Sequence, residues 1–148
     1  MTRIVMFALA ALISMPTPRL MADEVKIIGK DFAFDAPTTL SAGMNTFAFE
    51  NTGQIRHELI LVPLKAGVTE QTIREAHVGG ITLRKLLQQV GGGEIVGILL
   101  ANPRQSSPGK LTVNLERGTT YLIICQLDAP EGAPRHNLFG MYTTFRVE

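Results

Sequence analysis

Residues 118–147, GTTYLIICQLDAPEGAPRHNLFGMYTTFRV, contain the pattern that decides the fold. Thr120 to Gln126 is apolar and β-branched, which predicts a strand whose alternate side chains share a face. Tyr121 and Cys125 lie on the same face, and the cysteine stands at the end of the strand. A loop rich in proline and glycine follows, and Met141 to Val147 predicts a closing strand. This stretch is therefore a strand–loop–strand unit.

The preceding chain predicts a β-sandwich interrupted by a helical insertion. Short runs with turn signals between them predict strands at Glu24–Ile28, Asp31–Asp35, Met44–Glu50, His57–Pro63, Glu94–Leu100 and Leu111–Leu115. Helical spacing appears at Thr69–Ala76 and Thr82–Val90, with Thr82 as the N-cap of the second helix. Seven or eight short strands predict an all-β sandwich, with a helical insert at about residues 66–93.

The N-terminus has the pattern of a secretory signal peptide. Met1-Thr2-Arg3 is positive, Ile4 to Ser14 is apolar, and Ala22 precedes a plausible cleavage point. The apolar run falls short of the roughly twenty residues needed to cross a bilayer. We therefore predict a signal peptide over residues 1–22 and one exported, periplasmic domain over residues 23–148, with no membrane span in the mature form. An uncleaved membrane anchor is the alternative interpretation.

The charge of the mature chain argues against a nucleic-acid partner. Removing residues 1–22 takes away Arg3 and Arg19, so that 14 Lys and Arg become 12 against 13 Asp and Glu, a formal net charge of −1. A nearly neutral chain has no electrostatic footprint for nucleic acid or for an anionic membrane. One Cys, three His and two Met (Met44 and Met141) remain. Soft metal ligands are scarce, which makes their positions informative.

Four of these scarce residues form a candidate metal site. Cys125 is followed after ten residues by His136 and after four more by Met141, and His57 opens its predicted strand. A thiolate, two imidazoles and a weak thioether are the donor set that suits both Cu(I) and Cu(II). Each residue also has a simpler interpretation. The lone cysteine could be an inert core thiol or form a disulfide between two chains, His136 could be a solvated loop residue, and His57 and Met141 could serve packing alone.

The arrangement resembles the cupredoxin family of blue-copper proteins. The resemblance rests on Asn51-Thr52-Gly53 with His57-Glu58-Leu59, on Gly118-Thr119-Thr120-Tyr121 with Cys125, and on His136 and Gly140-Met141. It implies a Greek-key sandwich with one Cu(I)/Cu(II) ion held at one end by His57, Cys125, His136 and Met141. It also implies one-electron transfer or copper handling in the periplasm, with a redox or copper-exchange protein as partner and His136 as the ligand nearest the surface. We expect a monomer.

Two features depart from the pattern of the well-known electron carriers. Ten residues separate Cys125 from His136 where two to four are usual, and this longer loop could open the site to water. Glu58 follows the first histidine where the carriers often have Asn, which puts the usual hydrogen bonding around the site in question. Leu59, Met44, Leu138 and Phe139 are candidates for an apolar shell.

Two other functions remain open at this point. In the first, the ligand-like residues are relics, and the domain is a metal-free interaction or accessory module with residues 66–93 as its working surface. In the second, the long loop creates an open coordination position and the domain is a small copper enzyme. The chain contains neither a nucleophile elbow nor a His-Glu-x-x-His motif. We therefore expect that it is not an enzyme.

Overall fold

The computed structural model describes residues 23–77, 82–129 and 134–148. The predicted signal peptide, residues 1–22, lies outside the described residues. Within the described ranges there are nine strands, two α-helices and one short 3-10 helix. In chain order these are β1 (Asp23–Lys30), β2 (Ala33–Asp35), β3 (Thr39–Leu40), β4 (Gly43–Asn51), β5 (His57–Pro63), α1 (Glu70–His77), α2 (Leu83–Val90), β6 (Gly97–Ala101), β7 (Leu111–Leu115), β8 (Thr120–Ile124), the 3-10 helix (His136–Phe139) and β9 (Tyr142–Val147). Among these described helices, none combines the length and apolar character needed to cross a membrane.

The strands form two sheets that pack face to face. The first sheet has the order β2–β1–β4–β7 and the second the order β3–β9–β8–β5–β6. The β1–β4 and β3–β9 pairs are parallel and the others antiparallel. Alternate side chains of both sheets point inward and form the main core, which includes Ile27, Phe47, Leu59, Ile123 and Phe145. The prediction of an all-β sandwich with a short helical insertion is confirmed.

The helical insert covers the outer face of the second sheet. Ile73 of α1 and Leu86 of α2 pack with outward-facing side chains of β5 and β8, such as Ile60 and Leu122, in a second apolar cluster. Thr82 caps α2 as predicted, because its side chain accepts a hydrogen bond from the backbone N–H of Lys85. Strands β5 and β8 are therefore buried on both faces, which makes them a rigid base for the side chains at their ends.

One predicted strand is wrong in a way that matters for the site. The alternation of residues 31–35 predicts a continuous strand, but Asp31 and Phe32 form a turn, and only Ala33–Asp35 pairs back onto β1. Phe32 has a φ of 62°, in the left-handed region that a bulky residue rarely adopts. The other strand boundaries differ from the predictions by a few residues at most, the largest shift being the start of β6 at Gly97 rather than Glu94.

Candidate metal centre

The four predicted ligands lie at the same end of the second sheet. His57 begins β5, and Cys125 directly follows the last residue of β8, which runs antiparallel beside it. His136 begins the 3-10 helix, and Met141 directly precedes β9. The start of β5 and the end of β8 are adjacent in this pairing. The topology therefore gathers residues that are up to 84 positions apart in the sequence.

Three of the four side chains bring their donor atoms into one cluster. The Nδ1 atoms of His57 and His136 are 3.1 Å apart, and Sγ of Cys125 is 3.3 Å from Nδ1 of His136. All three donor atoms lie within 4.8 Å of one another, and all three residues are buried. With metal–nitrogen bonds of about 2.0 Å and metal–sulfur bonds of about 2.3 Å, donors that share an ion in tetrahedral or trigonal geometry are about 3.3–3.7 Å apart. The two contacts of His136 Nδ1 are within a few tenths of an ångström of these separations, and the three donor atoms are close enough together to face one ion.

His57 is held from its other ring nitrogen by a carboxylate. Its Nε2 lies 3.1 Å from Oδ1 of Asp31, and the histidine is fully buried. Burial lowers the pKa of His57, although the Asp31 carboxylate partly offsets this effect. The pKa of Asp31 is itself lowered: partial burial disfavours its charge, but hydrogen bonds from His57 and from the N–H groups of Gln54 and Ile55 outweigh it. At neutral pH the pair is therefore a neutral imidazole beside an ionised carboxylate.

Cys125 is fully buried, and a backbone N–H group is directed at its sulfur. The N–H of Glu58 lies 3.5 Å from Sγ, and the backbone of Glu58 and Leu127 favours the thiolate form. Burial nevertheless raises the pKa of Cys125 to about 11, and the nearby Glu58 carboxylate adds to the effect. Without a metal the side chain is a thiol at neutral pH, and a bound metal would displace its proton.

His136 is nearly as buried as the other two donor residues. It is 2% exposed, against 0% for His57 and Cys125, so it is the least buried of the three by a small margin only. The ring of Phe32 stands edge-on to the His136 ring with centroids 5.3 Å apart, and Phe139 packs on Phe32 at 4.7 Å. Burial and the neighbouring His57 lower the pKa of His136. The order of exposure therefore agrees with the expectation that His136 is the ligand nearest the surface, although the Phe32–Phe139 aromatic pair covers its imidazole.

Met141 is fully buried, and its backbone is hydrogen-bonded to two of the three donor residues. Its carbonyl accepts a hydrogen bond from the N–H of Cys125 at 3.1 Å, and its N–H donates to the carbonyl of His136 at 3.2 Å. Met44, by contrast, is 49% exposed near the start of β4. Asn51, which ends that strand at the metal-site end, is seven residues away, or about 23 Å at the usual rise of a strand. The suggestion that Met44 belongs to the apolar shell is therefore wrong.

Contacts in the structure accommodate the two departures from the family pattern, which are the long loop between Cys125 and His136 and the presence of Glu58. The long loop is closed at its described ends, because the N–H of His136 donates to the carbonyl of Leu127 at 3.0 Å and the Arg135 guanidinium meets Asp128 at 3.0 Å. The Glu58 carboxylate accepts a hydrogen bond from the N–H of Gln126 at 2.9 Å. Burial raises the pKa of Glu58, and this hydrogen bond partly offsets the rise. These three contacts hold the segment that follows Cys125 close to the donor cluster.

Sequence reasoning missed Asp31 and Phe32, which each contact one of the two histidines. It also missed the role of Gly53, where a Cβ atom would lie 2.2 Å from Oδ1 of Asp31. The only local signal was a polar–apolar alternation, which favoured a strand over a turn. The contact of Asp31 with His57 depends on the β1–β2 turn lying over the loop before β5, and this is a tertiary feature.

The sandwich and the donor cluster at its end define a class: the chain has the cupredoxin fold. No family model and no curated protein matches the chain. Solved structures that resemble it include a dithionite-reduced auracyanin from the photosynthetic bacterium Roseiflexus castenholzii, with 18% identity, a TM-score of 0.52 and coverage of 86% of this chain and 98% of that one. Auracyanin B has 22% identity and a TM-score of 0.52, covering 89% and 93% of the two chains.

Auracyanin A from the green thermophilic bacterium Chloroflexus aurantiacus, described as a "blue" copper protein, has 25% identity and a TM-score of 0.50. The similarity covers 86% of this chain and all of auracyanin A. These neighbours confirm the fold-level resemblance stated from the sequence, and they agree with the expectation that the chain is not an enzyme. The ligand set itself stays a prediction.

Proposed function

We propose that this chain is a mononuclear type 1 copper protein in which His57, Cys125 and His136 would hold the ion and Met141 would be a weak fourth ligand. The observation that carries the proposal is the cluster of two imidazole nitrogens and one thiol sulfur within 4.8 Å of one another. A thiolate with two histidines and a distant thioether is the donor set of blue-copper electron-transfer sites. Copper bound there would accept and release one electron.

The surroundings of the cluster support electron transfer over catalysis. The three donor residues are at most 2% exposed, and Phe32 covers His136, so water is kept away from the donors. The N–H of Glu58, which is directed at the Cys125 sulfur, stabilises the thiolate form. A dry site on rigid strands keeps its geometry in both oxidation states, whereas a copper enzyme needs an open position for its substrate.

We further propose that the protein works in the periplasm after removal of residues 1–22, as a monomer that exchanges electrons or copper with another protein. The pattern of the N-terminus supports export. The fold shared with auracyanins supports a redox partner. The aromatic pair Phe32–Phe139 offers an apolar point of contact above His136, since Phe139 is 48% exposed.

The visible spectrum of the copper-loaded protein tests the site. Protein beginning at Asp23 is depleted of metal and titrated with Cu(II), and we expect one ion per chain with an intense thiolate-to-copper charge-transfer band. Cys125→Ser should abolish the band. Met141→Leu should keep one ion bound but shift the spectrum and the reduction potential, while the control Met44→Leu, which changes an exposed methionine, should change neither.

The two histidines are tested in the same way. His57→Gln and His136→Gln should each remove the type 1 spectrum, and His77→Gln is the control because His77 is the remaining histidine of the chain. A protein that stays colourless and retains no copper after dialysis would refute the proposal and favour a metal-free interaction module. Azide binding to the wild-type copper would favour the enzyme interpretation.

A further inference from the structure

We propose that Asp31 is a positioning residue that fixes His57 as an Nδ1 donor and lowers the reduction potential of the site. The inference rests on the proposed copper function. Oδ1 of Asp31 lies 3.1 Å from Nε2 of His57, on the side of the ring opposite the donor cluster. No other described side chain is hydrogen-bonded to a ring nitrogen of His57, apart from His136 in the cluster itself.

The chemistry of the pair determines which nitrogen is free. An ionised carboxylate only accepts hydrogen bonds, so Nε2 of His57 must carry the hydrogen and donate it. In a neutral imidazole the other nitrogen then has no hydrogen. The lone pair of Nδ1 therefore points at Nδ1 of His136 and at the space shared with Cys125. Asp31 selects the tautomer that metal binding requires.

Three independent features of the fold favour this contact. Phe32 adopts a left-handed backbone, which turns the chain directly after Asp31. The Asp31 carboxylate also accepts hydrogen bonds from the N–H of Gln54, at 2.9 and 3.1 Å, and from the N–H of Ile55 at 3.4 Å. Gly53 leaves room for the carboxylate, since a Cβ atom there would lie 2.2 Å from Oδ1. One side chain thus ties the β1–β2 turn to the loop that leads into His57.

Asn51 holds the same loop from the interior of the sandwich. Asn51 is fully buried, accepts a hydrogen bond from the N–H of Gly53 at 2.8 Å, and donates to the carbonyl groups of Ile55 and Ala101 at 2.8 and 3.2 Å. When Asp31 is changed, the loop loses its hydrogen bonds at Gln54 and Ile55 but keeps those to Asn51. The main effect of a change at Asp31 should therefore be on the orientation of the His57 ring.

The negative charge of Asp31 should act on the two oxidation states unequally. A carboxylate behind a ligating histidine makes the imidazole a stronger donor, and Cu(II) gains more from this than Cu(I) because it carries more charge. Asp31→Asn keeps a side-chain oxygen that can accept from Nε2 but removes the charge. We expect it to weaken Cu(II) binding about tenfold more than Cu(I) binding, a rise in reduction potential of about 59 mV. Asp31→Ala also removes the acceptor and should lower Cu(II) affinity by about 10- to 100-fold.

The test compares Asp31→Asn and Asp31→Ala with Asp35→Asn in the same hairpin, where Asp35 pairs with Lys30 at 3.3 Å on the exposed surface. In the metal-free proteins, nitrogen-15 NMR of the imidazole should find the Nε2–H tautomer of His57 in the wild type, in Asp31→Asn and in the control, but not in Asp31→Ala. In the copper-loaded proteins, voltammetry should find a raised reduction potential in Asp31→Asn and the wild-type potential in Asp35→Asn.

The outcomes separate the two proposals. A blue wild-type protein whose potential is unchanged in Asp31→Asn, and whose His57 tautomer is unchanged in Asp31→Ala, overturns the role of Asp31 and leaves the copper function intact. A wild-type protein that binds no copper overturns both. A purely structural role is also contradicted if Asp31→Asn unfolds at the wild-type urea concentration yet has the raised potential.

Discussion

The substitution Gly53→Ala tests the close approach of Asp31 to the loop before β5. An added Cβ atom would lie 2.2 Å from Oδ1 of Asp31 and 3.1 Å from both Cγ of Asp31 and Oδ1 of Asn51. Ordinary carbon–oxygen contacts begin near 3.3 Å, so the carboxylate must move by about 1 Å. The hydrogen bond from His57, now 3.1 Å long, would then extend to about 4 Å and be lost.

The size of the effect follows from the bonds that break. A hydrogen bond to a charged group contributes about 1.5–3 kcal/mol, but the Asp31 side chain is 35% exposed and water can replace part of the loss. We therefore expect the metal-free Gly53→Ala protein to lose about 1–2 kcal/mol of unfolding free energy. Because His57 also loses the partner that orients its ring, copper affinity should fall by about 10- to 100-fold.

Urea unfolding of the metal-free proteins and competitive copper titration measure the two effects. Gly109→Ala is the matched control, since no heavy atom lies within 4 Å of the added Cβ and the backbone has no positive φ there. The double variant Gly53→Ala with Asp31→Ala should be no worse in copper affinity than Asp31→Ala alone, because both changes remove the same contact. Wild-type stability and copper affinity in Gly53→Ala, or additive effects in the double variant, would refute the reasoning.

Three further predictions concern the cover of the site, its titration and the helical insert. Phe32→Ala should uncover His136, so that azide perturbs the visible spectrum of the Cu(II) protein, whereas the wild type should not respond. Folding lowers the pKa values of His57 and His136, so the unfolded chain binds more protons than the folded one. The unfolding free energy of the metal-free protein, measured with urea, should therefore decrease as the pH falls below about 6.5. A double His57→Gln and His136→Gln variant should have a shallower pH dependence, and an equal slope would contradict this. Leu86→Ala, at a 1% exposed position of the second apolar cluster, should lower the unfolding free energy by about 2–5 kcal/mol without changing the copper spectrum. A changed spectrum would mean that the insert contacts the site.

The strands could be predicted where the burial of their faces alone set the pattern of apolar and polar residues. β7 (Leu111–Leu115) alternates apolar and polar residues because one of its faces is buried, and its bounds match the prediction. β5 (His57–Pro63) is apolar on both faces because the helices cover it from outside, and it was still found because His57 and Pro63 mark its ends. The turn at Asp31-Phe32 was not predictable, since its residues alternate like a strand and a left-handed phenylalanine is disfavoured locally.

The metal donors could also be predicted from the sequence, whereas Asp31, the hydrogen-bond acceptor behind His57, could not. Metal chemistry restricts the donors to a few residue types, and the chain has so few Cys, His and Met residues after position 22 that their spacing alone suggested the cluster. The acceptor behind His57 is under no such restriction, because any carboxylate or carbonyl that reaches Nε2 would serve. Thirteen acidic residues are available, and only the packing of the β1–β2 turn on the loop before β5 selects Asp31.

The two sheets contribute different parts of the site. Cys125 and His57 are attached to β8 and β5, which are paired with each other and buried on both faces, so their backbones are held whether or not a metal is bound. The orientation of the His57 ring, by contrast, depends on the β1–β2 turn of the opposite sheet. The second sheet therefore supplies the donors, while the first sheet supplies the charge that orients one of them. The contact between Asp31 and His57 depends on the packing of the two sheets against each other. A loss of inter-sheet packing should therefore disturb the orientation of the His57 ring before it disturbs the position of Cys125.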